Sequence, residues 1–96
     1  MKRVNYVIAN WKMNGLRSHR TLYNSINKHL VSKKSNKPNV IICPPHTLLH
    51  TLSLEKNSQV KLGAQDAHQY NSGAFTGCIS SEMIKDSGAE YVIIGH

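Results

Sequence analysis

The stretch Ala9-Asn10-Trp11-Lys12-Met13-Asn14-Gly15 decides between two kinds of fold. It follows the apolar run Tyr6-Val7-Ile8-Ala9 and precedes a helical pattern, so it is the first strand-to-helix junction. A dinucleotide-binding or P-loop fold would place a glycine-rich cradle here, where bare backbone amides can close around a phosphate. This junction has one glycine, Gly15. A Rossmann or P-loop sheet is therefore a poor reading, and a (β/α)8 barrel remains in view.

Moving outward, Val40-Ile41-Ile42-Cys43 and Tyr91-Val92-Ile93-Ile94 share the character of the first run. Each is β-branched, nearly continuous and too short for a helix, which suits strands covered on both faces in a parallel sheet. Val60 to Ala64 is a weaker strand, because its apolar residues alternate with Lys61 and Gly63. Helical patterns lie between. Ser18 reads as an N-cap, followed by Leu22, Ile26 and Leu30 at a spacing of four with Tyr23 beside them. Ser35, Asn36 and Pro38 stop that helix. Thr47 to Lys56 carries Leu48, Leu49 and Leu52 on one face. A short helix, about Ser80 to Asp86, turns Met83 and Ile84 inward, with Gly88 just past its end.

Such alternation implies right-handed βαβ units. The expectation is four parallel strands in sequential order, with three helices on their outer side. The outer edges of the first and fourth strands should be open or paired with another chain. Val7, Ile42 and Ile93 are expected to present uncovered apolar faces, and with them marginal stability and association.

The formal net charge is +7, so the distribution of that charge matters. Lys28, Lys33, Lys34 and Lys37 bunch at one helix end, whereas Lys2, Arg3, Arg17, Arg20, Lys56, Lys61 and Lys85 are scattered. No aromatic residues interleave with the bunch and no nucleic-acid signature is present. The charge reads as a solvated surface, with no nucleic acid among the expected partners. Cys43 and Cys78 form no CxxC and read as free thiols of a reducing compartment. No apolar stretch approaches membrane-spanning length, so a soluble, cytoplasmic protein is expected. His46 and His50 stand four apart but lack a third ligand. They read as a solvated helix face, with no metal and no cofactor.

In parallel α/β folds, functional groups gather at the carboxyl ends of strands. Those ends supply Asn10 and Lys12, then Cys43, then Gln65-Asp66, then Gly95-His96. A lysine and a histidine at one mouth suit an anionic substrate whose carbonyl must be polarised. By spacing alone, a solvated loop lysine and an incidental histidine are the commoner case.

The exact strings carry more. Ala9 to Gly15, Gly73-Ala74-Phe75-Thr76-Gly77, and Lys85-Asp86-Ser87-Gly88-Ala89-Glu90-Tyr91-Val92-Ile93-Ile94-Gly95-His96 together resemble the N-terminal part of the triosephosphate isomerase family, in order and spacing. The resemblance covers essentially all 96 residues. It implies the first half of a TIM (β/α)8 barrel, with residues 1–96 an incomplete, N-terminal part of that domain. It also implies interconversion of dihydroxyacetone phosphate and glyceraldehyde 3-phosphate. Lys12 matches the cation that binds substrate and steadies enediolate charge, Asn10 the residue that contacts substrate and holds the lysine, and His96 the neutral electrophile. These roles, like lid closure, are general knowledge of the family rather than readings of this sequence.

Phe75, Thr76 and Gly77 match the loop that inserts into a neighbouring subunit, which implies a homodimer in the complete family. The resemblance breaks at Cys78, where the family usually has a glutamate, and at Asp66, where an asparagine is common. After His96 the family continues Ser-Glu-Arg-Arg and later supplies a glutamate base, which these residues do not contain. The chain alone is therefore expected to be inactive, with a separately encoded C-terminal half a possible partner. The alternatives are a non-catalytic remnant and a small basic polyanion-binding module.

Overall fold

A computed structural model describes residues 3–33, 35, 37–55 and 58–96. Strand β1 is Tyr6–Asn10. A single 3₁₀ turn at Arg17–His19 then leads into helix α1, Arg20–Ser32. Next come β2 (Asn39–Cys43), α2 (His46–Ser53) and β3 (Lys61–Ala64). Helix α3 (Ser81–Asp86) and β4 (Tyr91–Val92) complete the order. The four strands form one sheet in the order β1-β2-β3-β4, and every pairing is parallel. This is the expected α/β arrangement of four strands and three helices. Lys2, Lys34, Asn36 and Lys56, which figured in the charge and helix-end readings, lie outside the described residues.

Register fixes which side chains share a face. Val7 pairs with Val40 and Ala9 with Ile42, while Ile8 pairs with Ile41 and Asn10 with Cys43. Val40, Ile42, Leu62 and Ala64 join Tyr23, Leu30, Leu48, Leu49, Leu52 and Ile84 in the core between sheet and helices. The other face carries Ile8, Ile41, Cys43, Gly63 and Tyr91, because successive side chains of a strand point to opposite sides. Gly63 has a packing reason on that face: a Cβ there would lie 2.7 Å from Cys43 Sγ and 3.3 Å from Tyr91 Cβ.

The expected set of open apolar faces needs correction. Ile42 is fully buried at 0% exposure, since it points into the helix-side core rather than across the sheet. Val7 is 54% exposed and Ile93 half-buried. On the far face Tyr6 and Ile8 are left open, at 52% and 57%, with Tyr91 at 38%.

Four local expectations also shift. Ser18 does not cap a helix; it lies in the 3₁₀ turn, and its carbonyl accepts from the Thr21 hydroxyl at 3.1 Å. The chain entry is held by the Leu16 amide, which donates to His19 Nδ1 at 2.8 Å. The inward face of α1 runs through Tyr23 (1% exposed) and Leu30, leaving Leu22 49% exposed. The face turns this way because Tyr23 buries a larger surface and its hydroxyl finds partners, donating to the Val60 carbonyl at 3.1 Å and bonding Ser58 Oγ at 2.6 Å. In α3, Ile84 is buried but Met83 is exposed. That helix is capped by Ser80, whose side chain accepts from the Met83 amide at 3.1 Å. The fourth strand is shorter than its apolar run, although the Ile93 amide still donates to the Ala64 carbonyl at 3.0 Å.

Candidate active site

The site is built around the loop after β1. Asn10 ends that strand, and its Oδ1 accepts from the Lys12 amide at 2.8 Å, closing an Asx-type turn. The turn leaves Lys12 at φ 56°, in the left-handed region. That conformation costs a non-glycine residue about 1–2 kcal/mol, so surrounding bonds must hold it. Gln65 provides them from the end of β3. Its Nε2 donates to the Lys12 carbonyl at 2.7 Å and to the Cys43 carbonyl at 3.0 Å, using both amide protons. The Trp11 amide donates to the same Cys43 carbonyl at 3.0 Å, and Asn14 Nδ2 donates to the Trp11 carbonyl at 2.9 Å. Three strand ends are thus tied together beneath an exposed lysine. Among the described residues, the three ion pairs are Arg20–Glu55, His46–Asp66 and Lys61–Glu90, none of which involves the Lys12 ammonium.

An open cavity of about 580 Å³ lies over these carboxyl ends. Asn10, Lys12, His46, Gln65, Asp66 and His96 supply its polar lining. The three expected substrate and catalytic positions, Asn10, Lys12 and His96, therefore meet at one place. Asp66 is the one side-chain carboxylate among the described lining residues, and its Oδ1 lies 2.7 Å from His46 Nε2. His46 is only 28% exposed, which corrects the reading of a solvated helix face; His50 is exposed as expected. The latch formed by Gln65 and the His46–Asp66 pair were not singled out from sequence. Their signal was position alone, at a strand end and just after Pro44-Pro45. Among the described residues, no group of three or more His, Cys, Asp or Glu side chains is placed to hold a metal ion.

Phe75, Thr76 and Gly77 stand apart from this cavity on an exposed loop between β3 and α3. The loop is held from within. The His68 amide donates to the Ile79 carbonyl at 2.8 Å, and the Cys78 amide to the Phe75 carbonyl at 3.0 Å. The Phe75 ring lies 4.1 Å from His68 and 5.6 Å from Tyr70, centroid to centroid. Gly73, at φ 148°, admits that ring, since a Cβ would meet it at 2.5 Å.

Residues 5–96 match the family model described as triosephosphate isomerase. The chain belongs to the triosephosphate isomerase family. It is 47% identical over 92 residues to the triosephosphate isomerase of Wolbachia sp. subsp. Brugia malayi, an alignment covering 94% of this chain and 37% of that protein. Against the triosephosphate isomerase of Zygosaccharomyces bailii it is 44% identical over 97 residues, covering 100% of this chain and 38% of the relative. The crystal structure of triosephosphate isomerase from Bartonella henselae superposes with a TM-score of 0.84 at 34% identity, covering 96% of this chain and 38% of that one. The chain thus spans less than two-fifths of the length of these triosephosphate isomerases. No helix among the described residues is long and apolar enough to cross a membrane.

Proposed function

We propose that residues 1–96 form the first half of a TIM-barrel domain and supply the anion-binding and electrophilic part of a triosephosphate isomerase site. The reaction is the interconversion of dihydroxyacetone phosphate and glyceraldehyde 3-phosphate, as in glycolysis and gluconeogenesis. One observation carries this reading: Asn10, Lys12 and His96 line a single cavity in which the lysine ammonium has no ion pair among the described residues.

A proton leaves the carbon next to the substrate carbonyl, and the electron pair moves onto the carbonyl oxygen to give an enediolate. Lys12 offers a compact positive charge to the phosphate and the developing oxyanion. His96 offers an imidazole N–H to the reacting oxygens, and Asn10 holds the lysine turn while facing the substrate. Proton transfer of this kind calls for no cofactor. It does need a base within hydrogen-bond reach of the carbon acid. Asp66 is the one side-chain carboxylate among the described lining residues, and His46 engages it. On this reading the base is not among the described lining residues, and the 96-residue chain by itself should not turn over substrate.

The remaining assignments follow the family. The substrate is a small triose phosphate, the compartment is the cytoplasm, and the Phe75-Thr76-Gly77 loop serves a homodimer once the barrel is complete. The missing half is supplied by the same protein or by a separate chain. Turnover by the purified chain mixed with a separately expressed second half tests the proposal. Lys12→Met and His96→Gln should each lower that turnover by about 10²–10³, the range for removing one transition-state charge or donor. Turnover indifferent to both substitutions would refute it.

A further inference from the structure

We infer that His46 is a positioning residue, which keeps the Asp66 carboxylate off the Lys12 ammonium and so leaves the lysine free for an anion. The inference rests on the reading of Lys12 as the substrate's cation. All three residues line the same cavity, where Lys12 and Asp66 carry its opposite formal charges. No ion pair joins the two among the described residues. The Asp66 oxygen instead lies 2.7 Å from His46 Nε2.

The two partners differ in how firmly they are held. Asp66 is 82% exposed and has room to swing, whereas His46 is mostly enclosed at the first turn of α2. His46 Nδ1 is buried without a hydrogen-bond partner. With the ring proton on Nε2, the bare Nδ1 lone pair faces protein and the N–H faces Asp66. The ring's hydrogen-bonding capacity among protein groups is thus spent on this one carboxylate. Without it, an ion pair with Lys12 would occupy the charge that an anionic substrate needs.

Trace acetylation with acetic anhydride, read by peptide mass spectrometry as the Lys12 rate relative to Lys85, tests this. Lys12 acetylation should fall about two- to fivefold in His46→Ala, the range an exposed ion pair supports. It should return to the starting rate in His46→Ala/Asp66→Asn, and His46→Gln, which keeps a donor, should hold it near that rate. A purely structural role for His46 would not be rescued by changing Asp66. Asp66→Asn alone, at an exposed position, should leave the rate unchanged. An unchanged rate in His46→Ala, or a faster one in Asp66→Asn alone, would overturn the inference. Protection of Lys12 by glycerol 3-phosphate is a separate arm: its absence would count against the substrate reading, while the variant rates still decide the role of His46.

Discussion

Gln65 Nε2 donates a 2.7 Å hydrogen bond to the main-chain carbonyl of Lys12, tying the end of β3 to the loop after β1. The same nitrogen bonds the Cys43 carbonyl between them, so a single side chain fixes the spacing of three strand ends. Gln65→Leu removes both donors, leaving the Lys12 carbonyl to find water and the Cys43 carbonyl with the Trp11 amide alone. The expected cost is about 1–3 kcal/mol, measured by urea unfolding at neutral pH. Gln65→Glu should cost as much, since a carboxylate presents no donor. Wild-type stability in both variants would mean that the latch contributes nothing.

The Lys12 backbone offers a second measurement. At φ 56° any side chain is strained, and glycine is not. Lys12→Gly should be more stable than Lys12→Ala by about 1 kcal/mol, compared in denaturant titrations of the two variants. The reverse order would indicate that the left-handed turn is absent in solution.

The strands were readable because β-branched runs such as Val40 to Cys43 fit a sheet covered on two sides and are too short for a helix. The junction at Asn10 and Lys12 was readable because strand order alone places it at the carboxyl edge. The rotation of α1 toward Tyr23 was not, since the four-residue spacing of Leu22 competes with a phenol whose partners, Ser58 and Val60, are more than thirty residues away. The contacts made by Gln65 and His46 were hidden for the same reason, although both residues had been noted by position. Their roles depend on residues 53 and 20 positions distant, and a polar residue in a loop shows no periodicity.

Alkaline pH should weaken the fold. Burial raises the Cys43 thiol above its ordinary value of 9.0. Burial is also the main cause that raises the Tyr23 phenol above 10.0; the Ser58 hydrogen bond opposes it, Glu55 adds to it, and Lys61 lowers it. The folded chain therefore holds both protons more tightly than the unfolded chain. Stability is fully present below the unfolded values and is lost as pH rises through the folded ones. The decline begins near 9 through Cys43 and continues past 10 through Tyr23. Cys43→Ala should flatten the first part and Tyr23→Phe the second, in urea midpoints taken across this range. Identical pH profiles for wild type and both variants would contradict the assignment.

Gly63 leaves room for Cys43. Because a Cβ at Gly63 would stand 2.7 Å from Cys43 Sγ, Gly63→Ala should destabilise by about 1–3 kcal/mol through overpacking. Adding Cys43→Ala removes the opposing sulfur, so the double variant should recover part of the loss. Equal destabilisation in the single and double variants, by thermal unfolding, would place the strain elsewhere.

The central claim is that Lys12 and His96 form a polarising site without its base. Deuterium uptake at the carbon next to the carbonyl of dihydroxyacetone phosphate, followed by proton NMR in D₂O, reports proton abstraction directly, whether or not product is released. The purified chain should give no uptake above buffer. Adding a separately expressed second half should start the exchange, and Lys12→Met in the chain should suppress it. Exchange by the 96-residue chain alone, abolished by Lys12→Met, would contradict the account, because it would mean that the base is already within these residues.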